Sequence, residues 1–324
     1  MSRIALVTGG AGFIGSRLVH RLLQGGWQVR VLDNFSSGSR SNLAGRASDL
    51  EILEGDVREE AACRRATEGV DTLFHLAALV SVPLSVDDPS YAHSVNVNGT
   101  LNLLNAARER GVRRFVFSSS ASVYGNAERV PTDESQPLKP ESPYASGKAC
   151  GELYCRNFWQ LYGLETVCLR YFNVFGTGQN VQSGYAAVVP MFVDAALRGA
   201  SPTVYGDGRQ TRDFVHVENV VDANVLAADS TYAPGGVYNV AGGNAVSLLD
   251  LLDVIGELLG CIIEPVHLPE RPGDVRDSRA EITRARRDLG YAPRVSLREG
   301  LRAMLTAQLD PDGTQALAGA AVGW

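Results

Sequence analysis

A tyrosine and a lysine four residues apart, Tyr144 and Lys148, stand in the stretch SPYASGK at residues 142–148. Pro143 suits a first helical turn, so this spacing places both side chains on one face of a helix. Free tyrosine has a pKa of about 10, which is too high for an efficient base near neutrality. A neighbouring ammonium favours the phenolate. The pair therefore predicts a tyrosine base whose pKa the lysine lowers.

Four serines lie in the stretch FSSSASVYG at residues 117–125, directly after the apolar run RFVF. A flexible linker, a hydrolase nucleophile and the polar end of a buried strand are the three explanations. The cluster has no GxSxG motif, and no histidine stands in an obvious motif that would activate a serine. The apolar run before it and the Tyr144/Lys148 pair after it favour a site at the end of a strand. A serine hydroxyl there can hydrogen-bond the reacting oxygen.

The glycines of TGGAGFIG, residues 8–15, follow a first predicted strand and open a helix. Gly9 permits a tight turn, Gly12 lets the backbone approach a pyrophosphate, and Gly15 allows close helix packing. The start of the helix offers unpaired N–H groups and a positive dipole end to phosphates. Asp33 ends the second predicted strand, where an acid binds adenosine ribose hydroxyls and favours NAD over NADP. Ordinary turn and cap chemistry is the alternative explanation of these residues.

Short apolar runs alternate with helical patterns through the first half of the chain. The predicted strands are 4–7, 29–32, 50–53, 72–76, 114–118 and 166–170, and the main predicted helices are 12–24, 90–110 and 143–162. This alternation predicts the α/β class with a doubly wound parallel (Rossmann) sheet. We expect an NAD-binding domain over 1–173, with a returning segment near 212–240. A smaller C-terminal α/β substrate domain is expected over 174–324.

Composition excludes several classes of function. The 324 residues are 45% apolar and 20% charged, with a net charge of −6, which gives no reason to expect nucleic acid or an anionic membrane as partner. No apolar stretch is long enough to cross a bilayer. The five cysteines lack CxxC spacing and the five histidines are dispersed, so we expect neither a disulfide framework nor a metal site. A cytoplasmic location is the expectation.

These motifs are part of an ordered series that runs from TGGAGFIG at Thr8 to RPGDV at Arg271. The others are DNFSSG (33–38), GDV (55–57), FHLAA (74–78), NVNGT (96–100), RYFNVFG (170–176) and YGDGRQTRDFVHV (205–217). Together they make the chain resemble the extended short-chain dehydrogenase/reductases, and within them the NAD-dependent nucleotide-sugar epimerases and dehydratases. The likeness is closest to the UDP-hexose 4-epimerases.

The resemblance implies that Tyr144 is the base, that Lys148 also holds the nicotinamide ribose, and that Ser120 assists Tyr144. It implies bound NAD. It places Asp56 and Val57 by the adenine, Ala77 and Ala78 by the pyrophosphate, and Asn96 and Tyr171 towards the nicotinamide. Besides Tyr144, Lys148 and the residues already discussed, the further cofactor residues that it implies are Phe13, Ile14, Asn34, Ser37, Gly38, Leu76 and Ser118.

The resemblance also implies a UDP-sugar substrate. Arg212 and Arg271 would clamp its pyrophosphate, although a surface or inter-domain salt bridge is the other explanation of each arginine. The further substrate residues that the resemblance implies are Ser81, Ser119, Ser120, Asn173, Val188, Val189, Tyr205, Asp274 and Ser278. Ser278 is small and leaves room for a 2-acetamido group, so both UDP-glucose and UDP-N-acetylglucosamine are expected substrates.

The residues directly after the serines bear on the type of reaction. Members that are 4,6-dehydratases resemble SSTDEVYG there, whereas this chain has Ala121 and Ser122 in place of the two acids. The missing acids favour 4-epimerisation through a 4-keto intermediate. A UDP-glucuronate 4-epimerase remains an alternative, a dehydratase is a weaker one, and a non-catalytic dinucleotide-sensing protein belongs to a different class. The resemblance further implies a homodimer built on the helices near 92–110 and 145–162.

Overall fold

The computed structural model describes residues 3–44, 49–179, 187–270 and 275–309. Its strands are β1 Ile4–Thr8, β2 Gln28–Asp33, β3 Leu50–Glu54, β4 Thr72–His75, β5 Arg114–Ser120, β6 Glu165–Tyr171, β7 Asn173–Phe175, β8 Thr203–Tyr205, β9 Thr211–His216, β10 Val237–Val240, β11 Ala245–Ser247 and β12 Val266–Leu268.

Most of the helices lie between these strands, and two follow the last strand. They are α1 Phe13–Gln24, α2 Glu60–Ala66, α3 Val82–Asp87, α4 Pro89–His93, α5 Gly99–Glu109, α6 Pro143–Tyr162, α7 Val188–Leu197, α8 Val217–Asp229, α9 Leu248–Leu259, α10 Thr283–Leu289 and α11 Leu297–Leu309. Two short 3-10 helices occupy Arg40–Leu43 and Ala121–Tyr124, and a π-helical segment, Ser94–Asn98, joins α4 to α5.

Seven strands form one parallel sheet in the order β10-β6-β5-β4-β1-β2-β3. The direction of winding reverses between β1 and β4, which is the position where open α/β sheets bind their ligands. The doubly wound parallel sheet predicted from the sequence is confirmed. The predicted strands differ from the observed ones by one or two residues at their ends, and the predicted helix over 90–110 comprises most of α4, the π segment and α5.

Apolar helical faces cover both sides of this sheet. One core joins the sheet to α1, α8 and α10, and a second joins it to α2, α5 and α6. The central strands β1, β4 and β5 are buried almost throughout because they have a helical layer on each face. No helix among the described residues is long and apolar enough to cross a membrane.

The C-terminal part has its own core. Strands β11, β9 and β7 form a small mixed sheet, and β12 pairs with β8. Helices α7, α9 and α11 pack their apolar side chains on these strands around Phe192, Leu251 and Met304. The strand β10 and the helix α8 return to the large sheet and its flanking layer, so the chain crosses between the two cores more than once.

Helix α6 approaches β5 closely because it has glycine at two points of contact. A Cβ atom added at Gly151 would lie 2.3 Å from Cζ of Phe117, and one added at Gly147 would lie 3.0 Å from Cβ of Asn96. Gly151 thus lets the helix backbone approach β5, and Gly147 lets it approach the π segment, where larger residues would hold it away. The start of α6, which contains Tyr144, is thereby held near the end of β5.

A Gly151→Ala variant tests this close approach. The added methyl group must displace Phe117, and overpacking of this kind outweighs the gain in helix propensity, so we expect a net loss of roughly 1–2 kcal/mol in the free energy of unfolding. Gln160→Ala, at an exposed position of the same helix, is the control and should change stability by less than about 0.5 kcal/mol. Urea denaturation measures both, and equal values for the two variants would contradict the close contact.

Candidate active site

The glycine-rich loop after β1 forms a tight cradle at the switch point. Gly9 adopts a φ of +67°, and an added Cβ there would lie 2.8 Å from the backbone nitrogen of Ala77. An added Cβ at Gly15 would lie 2.1 Å from the carbonyl oxygen of Gly9. The N-cap of α1 is Gly12, which contributes no capping side chain to the helix. Exposed backbone N–H groups and the positive end of the helix dipole in such a cradle fit a pyrophosphate.

Asp33 joins this loop to the turn after β2. Its carboxylate is buried and accepts hydrogen bonds from the backbone N–H groups of Ala11, at 2.9 Å, and of Phe35, at 2.8 Å. Phe35 is held with a φ of +54°, unusual for a residue with a side chain. An added Cβ at Gly38 would lie 2.7 Å from Ala11, so this turn packs directly on the loop, with Ser37 exposed beside it. These contacts are those of a turn residue, and the predicted contact of Asp33 with an adenosine ribose stays a prediction.

The ends of β2 and β3 meet at a small polar cluster. Asp56 accepts hydrogen bonds from Asn34 at 2.9 Å and from two nitrogens of Arg58 at 2.9 and 2.8 Å. Chiefly because of the Arg58 hydrogen bonds, the pKa of Asp56 falls to about 2. Val57 beside it is buried. Sequence reasoning missed Arg58, whose signal was a cation two residues after the acid of the GDV motif.

The loop after β4 is held from two sides. The backbone N–H of Leu76 donates to the carbonyl of Thr8 at 3.2 Å, and that of Ala77 donates to the Thr8 hydroxyl at 3.3 Å. Asn96, which is buried, accepts from the N–H of Leu79 at 2.8 Å and donates to its carbonyl at 3.1 Å. Leu76, Ala77 and Ala78 are all partly buried in this loop. The structure thus brings this loop against the glycine-rich loop, as a dinucleotide site requires.

The tyrosine and the lysine lie on the buried face of α6. Ser142 caps the helix by accepting from the N–H of Ala145 at 3.2 Å, and Pro143 occupies the first turn. Tyr144 is 8% exposed and Lys148 is 5% exposed. The Lys148 ammonium donates to the carbonyl of Ser118 at 2.7 Å. Both reactive groups are therefore positioned by one helix against the end of β5.

Burial and hydrogen bonding set the proton affinities of the pair. Burial raises the pKa of Tyr144, and a hydrogen bond with the Ser120 hydroxyl acts in the opposite direction. Burial lowers the pKa of Lys148 to about 8, while the Glu152 carboxylate opposes that change. A positive charge near the tyrosine is what favours its phenolate. The pKa of Tyr144 is thus raised in this structure, and the predicted lowering of that pKa by the Lys148 ammonium stays a prediction.

The three consecutive serines have different partners. The Ser118 hydroxyl lies 3.0 Å from the hydroxyl of Tyr171, which in turn bonds to Asn224. The Ser119 hydroxyl donates to Glu152 at 2.5 Å. Ser120 accepts from the N–H of Ser122 at 3.2 Å and is the serine hydrogen-bonded to Tyr144. Contacts of Ser118, Ser119 and Tyr171 with ligands stay predictions.

Glu152 and Arg170 form a buried ion pair that sequence reasoning missed. Their side chains are about 4% and 5% exposed, and Arg170 donates to both carboxylate oxygens at 2.8 and 2.6 Å. The Arg170 guanidinium lies 4.6 Å from the ring centre of Tyr124. Glu152 stands four residues after Lys148, so its signal was a third polar residue on the same helical face. The pair lies close enough to Lys148 to influence its pKa.

The predicted substrate residues lie around β9 and the ends of neighbouring elements. Arg212 is on β9, and its Nη1 donates to the carbonyl of Thr211 at 2.8 Å. The N–H of Ser278 donates to that same carbonyl at 3.2 Å, which brings Ser278 beside this strand. Asp213, buried next to Arg212, accepts from the N–H groups of Gly242, Gly243 and Ala280 and so anchors the segment that contains Ser278.

The other predicted substrate residues are more dispersed. Ser81 caps α3 by accepting from the N–H of Leu84 at 3.2 Å. Asn173 is exposed at the start of β7, and Tyr205 is partly buried at the end of β8. Val188 and Val189 begin α7 and pack into the C-terminal core. Arg271 and Asp274 lie outside the described residues.

A parallel sheet with a glycine cradle at its switch point, and a serine beside a buried tyrosine and lysine, define a dinucleotide-dependent enzyme of hydroxyl and carbonyl chemistry. Residues 5–241 match the model of the NAD dependent epimerase/dehydratase family. The chain belongs to this family, and NAD is its cofactor.

Three similar proteins extend the comparison. UDP-glucose 4-epimerase of Mycolicibacterium smegmatis is 44% identical over 301 residues, covering 91% of this chain and 95% of that protein. The structure of UDP-N-acetylglucosamine 4-epimerase from Methanobrevibacter ruminantium in complex with UDP-N-acetylmuramic acid has a TM-score of 0.91 and 40% identity, over 96% of this chain and 99% of that one. UDP-glucose 4-epimerase of Thermotoga maritima with UDP-glucose has a TM-score of 0.90 and 38% identity, over 95% and 99%.

The lowered pKa of Lys148 predicts a pH dependence of stability. Because its folded pKa of about 8 lies below the ordinary value of about 10.4, the unfolded chain binds more protons between these values, and stability gains from this group as pH rises there. Lys148→Met removes that gain. We expect the stability of the wild type relative to this variant to increase by roughly 2 kcal/mol from pH 8 to pH 10 in the NAD-free protein.

Urea denaturation at several pH values measures this difference. The chain has one other lysine, Lys139, whose side chain is about half exposed. Lys139→Met is therefore the control for the loss of a lysine, and the Lys148→Met difference from the wild type should change more over this range than the Lys139→Met difference does. A Lys148→Met difference that changes no more than that of the control would show that the ammonium is not buried as described.

Proposed function

We propose that this protein is an NAD-dependent 4-epimerase of UDP-hexoses. It interconverts UDP-glucose with UDP-galactose, and UDP-N-acetylglucosamine with UDP-N-acetylgalactosamine. The observation that carries the proposal is the set formed by Ser120, which is partly buried at the end of β5, and the buried Tyr144 and Lys148 of α6. The similarity to UDP-sugar 4-epimerases along nearly the whole chain supports it.

We assign the binding of NAD to the switch point of the large sheet. The loop over 9–15 and the residues 76–78 would hold its pyrophosphate, Asp33 and the turn to Gly38 its adenosine ribose, and Asp56 and Val57 its adenine. Lys148, with Asn96, Ser118 and Tyr171 around it, would face the nicotinamide ribose. The buried Asp33 carboxylate supports NAD over NADP, since it would repel a 2′-phosphate.

The mechanism needs one base and no net oxidation. NAD, when bound, accepts the hydride from C4 of the sugar and returns it, so that it is regenerated in every turnover. Tyr144 removes the proton from O4, and the Ser120 hydroxyl hydrogen-bonds the same oxygen. The Lys148 ammonium stabilises the phenolate. The 4-keto sugar then turns to present its other face, and Tyr144 returns the proton to O4 of the epimer.

The residues after Ser120 favour epimerisation over elimination. Ala121 and Ser122 begin the 3-10 helix that follows β5, and neither side chain is acidic. Removal of water from C5 and C6 needs an acid and a base at this place. Without them the chemistry that remains is reversible oxidation of the C4 hydroxyl.

We assign the UDP-sugar to the groove between the large sheet and the C-terminal part. Arg212 would bind the pyrophosphate together with Arg271, with Asn173 on a phosphate, Asp274 on the ribose, and Val188 and Val189 beside the uracil. Ser81, Ser119, Ser120, Tyr205 and Ser278 would line the sugar pocket. The anchoring of the Ser278 segment on β9, next to Arg212, supports a single pocket for both ends of the substrate. The small Ser278 leaves room for a 2-acetamido group.

We further propose the division of labour between two domains. Residues 1–173, with the returning segment near 212–240, would bind NAD, and residues 174–324 would mainly bind the nucleotide sugar. Separate apolar cores under the two parts support this division. Closing of the groove between them would exclude water between the two hydride transfers.

A homodimer through α5 and α6 is the proposed assembly. The two helices pack side by side, and α6 exposes Leu153, which is 53% accessible to solvent. A four-helix contact between two copies would cover this face. Its location behind the catalytic helix would leave both active sites open to substrate.

A Leu153→Asp variant tests the assembly. A charge in the centre of an apolar four-helix contact cannot be desolvated without a partner, so the protein should become monomeric at micromolar concentration. Ile262→Asp is the control, because Ile262 is 91% exposed in the C-terminal part and belongs to neither helix. Light scattering after size-exclusion chromatography measures the mass of both. A monomeric wild type, or two dimeric variants, would rule out this interface.

Turnover of UDP-sugars tests the proposed reaction. Purified protein should convert UDP-glucose and UDP-N-acetylglucosamine into their C4 epimers without added NAD, with products resolved by NMR. Tyr144→Phe should lower kcat by roughly 10²–10⁴-fold, because it removes the base and leaves the rest of the site. If UDP-glucuronate is tested in the same way and is turned over, the substrate would be assigned to the UDP-uronic acids.

Two results would contradict the proposal. Formation of a 4-keto-6-deoxy sugar would indicate a dehydratase despite the missing acids. No turnover of any UDP-hexose, with NAD still bound, would indicate a dinucleotide-sensing protein.

A further inference from the structure

His75, at the end of β4, is a buried histidine that the proposed reaction does not use. It is 1% exposed, and both ring nitrogens have partners. Nδ1 lies 2.8 Å from the Thr8 hydroxyl, and Nε2 lies 3.0 Å from the Thr100 hydroxyl. The rings of Phe115 and Phe117 pack against the imidazole with centroids at 5.9 and 5.8 Å.

The hydrogen bonds of Thr100 determine which nitrogen carries the proton. Its hydroxyl lies 2.7 Å from the carbonyl oxygen of Asn96, which can only accept. Thr100 therefore donates its one proton to Asn96. It must accept from His75, so Nε2 carries a proton.

The hydrogen bonds of Thr8 lead to the same assignment from the other side. Its hydroxyl oxygen accepts from the backbone N–H of Ala77 at 3.3 Å, which leaves its proton free to donate. Nδ1 of His75 is the acceptor within reach. Protonation of Nδ1 would leave the Thr8 hydroxyl proton without that acceptor, in a residue that is fully buried. The Thr8 hydroxyl therefore donates to Nδ1 of the ring. The Nε2–H group of the ring donates to the Thr100 hydroxyl, which donates to the carbonyl of Asn96.

The surroundings of His75 are mostly uncharged, and they favour the neutral ring. Thr8 from β1, Thr100 from α5 and the two phenylalanines from β5 are uncharged. The ammonium of Lys148, from α6, lies 5.1 Å from the ring centre of Phe117, and that ring packs against His75. Burial, together with this ammonium, lowers the pKa of His75 to about 3. An imidazolium here would in turn disfavour the protonated Lys148 that the tyrosine base requires.

We propose that His75 is a positioning residue, a permanently neutral Nε2–H imidazole that sets the loop over 76–79 against the glycine-rich loop. Thr8 immediately precedes Gly9, and the Ala77 N–H that it binds belongs to the loop after β4. On the other side, Asn96 belongs to the π segment and holds Leu79 by both backbone groups. The imidazole thus connects three walls of the cofactor site. The inference rests on the NAD site of the proposed function.

The first test measures the tautomer in the unaltered protein. Long-range ¹H–¹⁵N spectra of histidine-labelled protein, with NAD and after its removal, should show one ring in the Nε2–H form that does not titrate between pH 5 and pH 8. The chain has five histidines, so the signal is assigned by its loss in His75→Gln. A His75 signal that titrates in this range, or that shows the Nδ1–H form, would overturn the proposal. This readout needs no turnover, so it stands apart from the success or failure of the proposed reaction.

The second test separates positioning from plain stability. Thr100→Val removes the acceptor of the Nε2 proton, whereas Thr100→Ser keeps it. Thr67→Val is the matched control, because Thr67 is also fully buried and bonds to the carbonyl four residues before it, at 3.0 Å, but has no histidine partner. Both valine variants should lower the Tm. Only Thr100→Val should speed the release of bound NAD, by about tenfold. Thr100→Ser should release NAD at the rate of the wild type. Equal release rates in the two valine variants would overturn the proposal.

Discussion

The close contact between α6 and β5 is the constraint on which the rest of the site depends. A tyrosine at the start of a helix can act on a sugar at the end of a strand only if the two backbones lie near each other. Gly151 permits that approach, and the ammonium of Lys148 reaches the carbonyl of Ser118 across it. The same contact buries a cation, so everything around it must compensate for lost water.

Buried polar side chains next to the reactive groups compensate for the water that Lys148 has lost. Glu152 and Arg170 form a bidentate pair, and the Ser119 hydroxyl adds a further bond to the carboxylate. Further hydrogen bonds offset the desolvation of a buried ion pair. Nη1 of Arg170 has no such bond within the described part of the chain, and the guanidinium lies against the ring of Tyr124. Charge therefore continues below the site as Lys148, Glu152 and Arg170 in alternation. This arrangement keeps the lysine protonated near neutrality although it is almost fully buried.

On the cofactor side of the site, buried hydrogen bonds hold the loops in position. The switch point of the sheet lies between β1 and β4, where two loops must stay at fixed distance for a dinucleotide to bridge them. The bond between Thr8 and His75 joins the ends of these two strands, and the bond between His75 and Thr100 ties them to α5. Asp33 does the same for the turn after β2. A rigid frame of buried bonds thus surrounds a groove whose other wall is the C-terminal part of the chain.

The sequence by itself determined the parallel sheet, the positions of six of its seven strands and the family, because apolar periodicity and glycine spacing are local properties of the chain. It did not predict β10, which returns to the sheet from the C-terminal half of the chain. It also singled out Tyr144 and Lys148, since one helical turn relates them. Only the tertiary structure decided that the Ser119 hydroxyl bonds to Glu152 and that His75 lies in a directed chain of donors. Those partners are far apart in sequence, and the donors and acceptors available to a buried group follow from packing rather than from its neighbours in the chain. The predicted contacts with NAD and the UDP-sugar stay predictions for the same reason.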